Sequence, residues 1–307
     1  MAFISVLKCA GTMLFFILVG YFLVKSGKAS SDHAKSFSAF LLYACNPCLM
    51  VSSFQAMDQS AENFRKSMVF FAVTLVLQLL FMIVLYVIFH RKYNDAKYRI
   101  LTMCATLGNV GFFGLPLVTG IFPSESIVAC YSTLYVTSMN IIVFTMGIFL
   151  LTQNRKYISI KAAIVNPTTL SVIVGMALYL MKFTFPKSIG DTIWLMGKFT
   201  TPLCMIIIGF RLASMKLRDV FTAKFAYQAS ALKLLVYPIF AFALVYFLPF
   251  MDTTAKLCVF ILSATPAGAI NLTLAELHQC EQQKTANAVL MTTLFSLVTI
   301  PLLSMFI

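Results

Sequence analysis

Apolar stretches long enough to cross a lipid bilayer recur along nearly the whole chain of 307 residues. A transmembrane helix needs about 20 consecutive, predominantly apolar residues. Ten such stretches, called spans 1 to 10 below, cover residues 2–24, 35–56, 66–89, 98–120, 126–151, 168–183, 189–212, 224–249, 254–276 and 283–306. Span 6 is short and follows Asn166-Pro167, where a proline suits the first position of a helix. The pattern predicts an all-α polytopic membrane protein with ten transmembrane helices.

Two of these spans are interrupted by Gly, Pro and Asn. Span 4 contains TLGNVG over residues 106–111, and span 9 contains SATPAG over residues 263–268, with Asn271 following. Membrane helices tolerate such breaks where the freed backbone groups line a cavity or a ligand site. A matched pair of breaks indicates the binding site of a secondary transporter. The alternative is that these small residues only let helices pack closely.

The candidate substrate site therefore consists of residues from both breaks: Gly108, Asn109, Val110, Gly111, Thr265, Pro266, Ala267, Gly268 and Asn271.

The two halves of the chain resemble each other at matching spans. Pro47 of span 2 and Pro202 of span 7 are separated by nearly the same number of residues as Gly108 and Pro266. Agreement between two landmarks predicts a duplicated five-span unit, with coincidence as the alternative. Because five is odd, the second copy enters the membrane from the opposite side and forms an inverted repeat. The predicted divisions are residues 1–151 for the first repeat, 152–167 for a short cytoplasmic linker and 168–307 for the second repeat.

Composition excludes an ordinary soluble domain. The chain is 60% hydrophobic and only 11% charged, with a mean hydropathy of +0.91, well outside the range of soluble proteins. The net charge of +13 arises from short loops between apolar stretches. We interpret it through the positive-inside rule and not as a nucleic-acid surface.

Orientation follows from the loop Lys and Arg residues, which are concentrated on one side of the predicted membrane. That side carries Lys25, Lys28, Lys35, Arg91, Lys92, Lys97, Arg99, Arg155, Lys156, Lys161, Arg211, Lys216, Arg218, Lys224 and Lys284; the other carries Arg65, Lys66, Lys182, Lys187 and Lys256. The richer side is predicted to be cytoplasmic, which places both termini outside a cell (plasma) membrane. The N-terminus lacks the pattern of a cleavable signal peptide, so span 1 is expected to remain in the mature protein.

Cysteines and histidines give no sign of a metal or redox centre. Cys45 and Cys48 have C-x-x-C spacing, but no second pair or nearby His supports a site. The eight cysteines are interpreted as packed helix residues. No convergent set of nucleophile, base and metal ligands is evident, so we predict neither an enzyme nor a cofactor or metal.

Breaks at mid-depth would bring two half-helix N-termini together. Such termini carry unpaired N–H groups and about half a positive charge each, which favours a small anion. Asn109 is a candidate for capping the second half of span 4 through its side-chain oxygen, or for donating its amide to a carboxylate.

Ionisable residues inside spans are further functional candidates. Lys198 is a possible charge or coupling partner of the substrate, with snorkelling or pairing to Asp191 as the alternative. Glu276 closes span 9 and is a candidate gate or proton group, or an ordinary interfacial carboxylate. Lys233, nearer the cytoplasmic end of span 8, and Lys8 are expected to snorkel.

The residues of the two breaks resemble the auxin efflux carrier family, which includes plant PIN proteins and shorter bacterial permeases. GNVGFFGLPL over residues 108–117 is similar to the family's motif in its fourth span, and ATPAG over 264–268 with LAE over 274–276 is similar to the motif in its ninth. Pro47 lies where the family has a proline in span 2. The resemblance covers essentially the whole chain.

The resemblance implies ten helices in two inverted repeats, with broken helices 4 and 9 crossing. It further implies a scaffold of spans 1, 2, 6 and 7 that often forms a homodimer, a transport domain of spans 3–5 and 8–10, and an elevator-like motion. The substrate carboxylate would lie near Asn109. This chain has Gly108 where plant members have Pro, and it lacks their long central loop. A small organic acid is therefore a better expectation than auxin.

The predicted function is secondary transport of small organic anions, with protons or sodium as possible coupling ions and the lipid bilayer as the surroundings. The alternative is a cation or proton exchanger on the same crossover fold, which needs a titrating acid near the breaks and has only Lys198 in its support. A receptor that transports nothing is a further alternative, and saturable flux would separate it from a carrier.

Overall fold

A computed structural model describes residues 2–30, 32–215 and 217–306. Lys216, one of the basic residues used for the orientation, lies outside them, and so does the side chain of Arg155. The described residues form helices joined by turns and extended segments, and they contain no strand apart from one isolated antiparallel bridge between Gly108 and Ala267. The prediction of an all-α protein is confirmed for this part of the chain.

The helices of the first part of the chain are α1 (Ala2–Lys25), α2 (His33–Phe40), α3 (Asn46–Gln55), α4 (Ala61–Phe89), α5 (Ala96–Thr106), α6 (Leu115–Ile121), α7 (Val128–Ile142), α8 (Ile148–Thr152) and α9 (Ile160–Val165). The second part contains α10 (Pro167–Leu180), α11 (Lys187–Lys198), α12 (Thr200–Ser214), α13 (Leu217–Thr222), α14 (Lys224–Ala231), α15 (Tyr237–Tyr246), α16 (Thr253–Ser263), α17 (Ala269–Leu277) and α18 (Gln282–Leu303). Short 3₁₀ turns cover His90–Lys92, Arg155–Tyr157 and Ser304–Phe306.

Four π-helical segments in the described ranges join or precede α-helices without a break: Leu41–Cys45, Val110–Gly114, Val143–Gly147 and Leu232–Val236. Three of them directly precede a helix whose second residue is a proline, namely Pro47, Pro116 or Pro238. A proline ring clashes with the carbonyl four residues earlier and offers no N–H. The wider π turn relieves both problems, since the residue before each proline donates to the carbonyl five residues back.

Among the described residues, seven continuous helices are long and apolar enough to cross a membrane: Phe3–Lys25, His33–Gln55, Ala61–Lys92, Val128–Thr152, Lys187–Ser214, Lys224–Tyr246 and Gln282–Phe306. Three shorter apolar helices are Val110–Ile121, Pro167–Leu180 and Thr253–Ser263. These figures fit a polytopic membrane protein. The shorter helices fall in predicted spans 4, 6 and 9, because spans 4 and 9 are interrupted and span 6 is short.

Small residues bring one set of helices into close contact. A Cβ atom placed on Gly20 of α1 would collide with the backbone carbonyl of Ile206 in α12, and one on Gly209 would collide with the carbonyl of Ile17. In the same set, α3 packs against both α10 and α11, and α11 contacts α12. Gly197 of α11 meets the backbone of Leu49 in α3. Such glycine contacts are typical of helices that associate within membranes.

The remaining helices pack as a second set. Helix α4 lies against α7, α14 against α18, and α15 against α16, while α5 contacts α4, α14 and α18. Predicted spans 3, 4, 5, 8, 9 and 10 supply this set. The two sets meet mainly where α1 contacts α6 and α18 and where α3 and α10 contact α7.

Candidate functional site

The breaks in predicted spans 4 and 9 are hydrogen-bonded to each other. Helix α5 ends at Thr106 and α16 at Ser263, and the extended segments that follow run antiparallel. The N–H of Asn109 donates to the carbonyl of Pro266 at 2.7 Å, and the N–H of Gly268 donates to the carbonyl of Leu107 at 2.9 Å. One N–H and one carbonyl freed by each interruption are thus satisfied by the other interruption.

Glycine is required for this close approach. A Cβ atom on Gly268 would lie 2.8 Å from the carbonyl oxygen of Gly108, and one on Gly108 would lie 2.7 Å from Thr265 Oγ1 and 2.9 Å from Lys233 Nζ. The two segments therefore touch through positions without side chains, as the Gly content of both breaks suggests.

Three polar side chains hold the paired breaks in place. The amide of Asn271 donates to the carbonyls of Leu107 and Gly268, each at 3.0 Å. Thr265 Oγ1 donates to a carbonyl near the end of α16, and Thr292 of α18 accepts a bond from the N–H of Ala267 at 3.1 Å. These side chains stabilise the backbone of the breaks from behind.

A cavity of about 580 Å³ lies on one side of the paired breaks. Of the predicted site residues, it is lined by Gly108, Asn109, Val110, Gly111, Gly268 and Glu276. The structure brings these six together from both breaks. Thr265, Pro266, Ala267 and Asn271 do not line the cavity; they belong to the hydrogen-bonded framework behind it.

Asn109 faces this cavity and is 6% exposed. Its amide nitrogen lies 3.9 Å from Cys204 Sγ of α12. The capping role considered for its side-chain oxygen is wrong, because this oxygen accepts no capping bond from the helix that follows. Its backbone carbonyl instead accepts hydrogen bonds from the N–H groups of Phe113 and Gly114. The side chain is therefore available to the cavity.

Lys198 is not brought to the cavity. It ends α11 with its ammonium 3.3 Å from the ring centroid of Trp194, and both side chains are exposed. The adjacent Gly197 is the buried residue of this turn, packed on the backbone of Leu49. Because consecutive helix positions point about 100° apart, Lys198 faces away from the protein interior.

Glu276 lies at the edge of the cavity, in an ion pair with Arg211. The distance from Arg211 Nη1 to Glu276 Oε1 is 3.4 Å, and both side chains are partly exposed, by 29% and 50%. This pair connects α12 with α17. Lys35 also lines the cavity.

Sequence reasoning missed several residues around the site. Asn46 donates to Thr168 Oγ1 at 2.7 Å in the buried wall between α3 and α10, and Asn140 and Cys204 line the cavity. Asn46 stands beside Pro47 in an apolar stretch, which was a usable signal. The expectation that Lys233 snorkels is wrong: its side chain is fully buried, and its ammonium donates to the carbonyl of Ser263 at 2.9 Å.

The wall of the cavity combines the starts of two helices with apolar side chains. The helix Val110–Ile121 and helix α17 both begin at its wall, since Val110, Gly111 and Ala269 line it. The first N–H groups of a helix have no intrahelical partner and carry a partial positive charge. Much of the remaining wall is apolar, including Val136 and Ile207.

Comparison with known proteins identifies the family. A family model described as "Membrane transport protein" matches residues 11–162 and 156–304. The chain belongs to this membrane transport protein family. The match confirms the resemblance to the auxin efflux carrier family that the two break motifs indicated.

Two archaeal relatives match over nearly their full length. An uncharacterized transporter of Methanocaldococcus jannaschii is 26% identical over 297 residues, which is 94% of this chain and 95% of that protein. An uncharacterized transporter of Methanothermobacter thermautotrophicus is 25% identical over 309 residues, covering 99% of each chain. This chain is thus a membrane protein of a transporter family.

Proposed function

We propose that this protein is a secondary transporter that moves small organic anions across the cell membrane by elevator-like alternating access. The observation that carries the proposal is the wall of the cavity, where Asn109 and the first residues of two helices from opposite halves of the chain come together. Secondary transporters bind anionic substrates at such half-helix N-termini.

The recognition chemistry follows from the polar groups on this wall. A carboxylate placed beside Asn109 would accept hydrogen bonds from the side-chain amide and from the leading N–H groups of the two helices. Fixed donors of this kind replace the water that the anion loses on entry. Apolar residues such as Met139 and Leu290 on the rest of the wall suit the hydrocarbon part of an organic acid.

We further propose ten membrane spans in two inverted repeats, with the broken spans 4 and 9 crossing at mid-membrane. Helices of spans 1, 2, 6 and 7 would form the scaffold, which dimerises, and the second set of helices would form the moving transport domain. The close packing within each set, and the fewer contacts between the sets, support this division. An inverted repeat gives each half the same fold in opposite orientations, which suits alternating access.

The residues that line the cavity support an inward-facing conformation. Its lining includes Lys35, Arg211 and Glu276, and the positive-inside rule places the two basic residues on the cytoplasmic side. Both termini are then extracellular. The Arg211–Glu276 pair joins the proposed scaffold to the proposed transport domain, and an exposed pair contributes only about 0–1 kcal/mol. It therefore opens readily when the two parts move.

Uptake and binding by the purified protein in proteoliposomes test the proposal. A panel of radiolabelled mono- and dicarboxylates is expected to contain at least one acid with saturable flux. Asn109→Ala removes a donor from the cavity wall, and its loss is expected to weaken binding of that acid by about tenfold, since hydrogen bonds to charged groups contribute about 1.5–3 kcal/mol.

Asn94→Ala is the matched control, because Asn94 is an exposed residue in the turn before α5. It is expected to leave flux and affinity unchanged. Absence of flux for every organic acid would refute the proposed function. An Asn109→Ala protein with unchanged affinity would instead place the substrate somewhere else in the molecule.

A further inference from the structure

Lys233 is a fully buried lysine directly behind the paired breaks. It lies in the π-helical segment that joins α14 to α15, and its side chain is 0% exposed. The ammonium donates to the carbonyl of Ser263 at 2.9 Å and lies 4.6 Å from the ring centroid of Tyr237. None of the ion pairs found among the described residues includes it. Its polar partner is a backbone carbonyl and not an acid.

The carbonyl of Ser263 is the last one of the broken helix α16. A helix ends with four carbonyls that lack intrahelical partners, here those of residues 260–263. The N–H of Ala264 donates to the carbonyls of Phe260 and Ile261, and Thr265 donates to that of Leu262. The ammonium of Lys233 donates to the remaining carbonyl, that of Ser263. The side chain therefore completes the end of α16 inside the protein.

The broken spans present partial positive charge to the cavity and partial negative charge to the side where Lys233 lies. Their second halves begin at the cavity, where helix N-termini are partially positive. Their first halves, α5 and α16, end on the side of Lys233, where helix C-termini are partially negative. The ammonium also lies close to the end of α5, since a Cβ atom on Gly108 would come within 2.9 Å of it.

In broken-helix transporters, C-terminal half-helix ends and unwound carbonyls are the groups that coordinate a coupling cation. We infer that the ammonium of Lys233 occupies the position behind the paired breaks that a bound sodium ion would otherwise take. It thereby fixes the end of α16. Lys233 is thus a positioning residue, which acts on the cavity through residues 264–268 and the start of α17. This inference rests on the proposed function, because it assigns the coupling of that same site.

The geometry also explains why this cation stays in place. A lysine is tethered by its own helix, and here its ammonium lies against Tyr237, the carbonyl of Ser263 and Gly108. Tyr237 is in turn hydrogen-bonded to Tyr135 of α7 at 2.7 Å between their hydroxyls. A tethered ammonium cannot diffuse away and be replaced by a sodium ion from solution.

Two measurements test the inference. The first compares the unfolding temperature of the purified wild-type protein in sodium chloride and in choline chloride at equal ionic strength. The same temperature is expected in both salts, because a ligand that binds the folded state would raise it. A specific increase in sodium would overturn the inference. This comparison needs no organic anion, so it stands even if the proposed function fails.

The second measurement uses Lys233→Met, which keeps an unbranched side chain one atom shorter and removes the charge. Lys8→Met at an exposed position of α1 is the matched control. The variant is expected to lose about tenfold in affinity for the transported acid, since a buried carbonyl is left without its donor. Wild-type affinity and wild-type unfolding temperature in Lys233→Met would overturn the inference. If that variant does not fold, the sodium comparison on the wild-type protein still decides.

Discussion

At the scale of single residues, the absence of a side chain at Gly108 is as important as any group present. The residue lies between the backbone of span 9, Thr265 and the ammonium of Lys233. These neighbours are themselves buried and hydrogen-bonded, so they cannot move away cheaply. Any side chain at this position must displace one of them.

Gly108→Ala is therefore expected to destabilise the protein by about 1–3 kcal/mol, the usual range for inserting a group into a packed interior. Thermal unfolding in detergent measures the effect. Gly120→Ala is the matched control, because Gly120 is in the same span, is exposed, and has no described neighbour within 4 Å of the point where a Cβ atom would lie. Equal unfolding temperatures for the two variants would contradict the close contact described for Gly108.

The role of a residue can be predicted from the sequence where that role depends on its neighbours along the chain. It is predicted poorly where it depends on how a helix is rotated against the helices around it. The Gly, Pro and Asn residues of the two breaks indicate interruptions by themselves, and the structure places Asn109 on a cavity at one of them. Lys198 and Lys233 both lie within apolar stretches. The sequence favoured Lys198 as the functional candidate, but it is Lys233 that is buried beside the breaks. Which lysine faces inward depends on how its helix is rotated against its neighbours, and a single sequence does not reveal that rotation.

At the scale of helices, the contact between α1 and α12 is a very close helix crossing. Gly20 and Gly209 face each other there, and a Cβ atom on either would meet backbone and not a flexible side chain. Backbone atoms held in helical hydrogen bonds yield only if the whole helix shifts. The two helices are therefore locked at a short separation.

Gly20→Ala is expected to push α1 away from α12 and to lower the unfolding temperature of the protein in detergent, at a cost of about 1–3 kcal/mol. Gly11→Ala in the same helix is the control, because no described atom lies within 4 Å of the point where its Cβ would be. A glycine-to-alanine change there is expected to be neutral or slightly stabilising, by about 0.5–1 kcal/mol. A Gly20→Ala protein as stable as the control would show that the two helices separate without cost.

Helix interruptions were only partly predictable at this scale. Spans 4 and 9 break where Gly and Pro cluster, and the π segments before Pro47, Pro116 and Pro238 follow from the missing proline N–H. The π segment Val143–Gly147 is not followed by a proline, and we have no local signal for it. The pairing between the breaks connects residues far apart in sequence, so it required the folded structure.

At the scale of the whole molecule, the sidedness of the cavity leads to a labelling experiment. Thr273 lines the cavity and is exposed, while Ser188 is exposed next to Lys187 on the side predicted to be extracellular. A membrane-impermeant maleimide is expected to label Thr273→Cys in inside-out vesicles and Ser188→Cys in right-side-out vesicles. The wild-type protein, with its eight cysteines, supplies the background for both.

The reverse labelling pattern would contradict the orientation derived from loop charges. Equal labelling of Thr273→Cys from both sides would instead contradict a preferred inward-facing conformation, because the cavity would then open to both sides to a similar extent. The ten spans, the inverted repeat and the positions of the two termini stay predictions beside the seven long helices of the described ranges.

The bridge between Gly108 and Ala267 has a consequence for biosynthesis. The first break lacks this backbone partner until the ribosome has added roughly 160 further residues, which takes about 10–30 s at ordinary rates of translation. During that time the polar backbone around Asn109 stays unpaired inside or beside the bilayer. The nascent first half is thus expected to rely on the insertion machinery until its complement emerges.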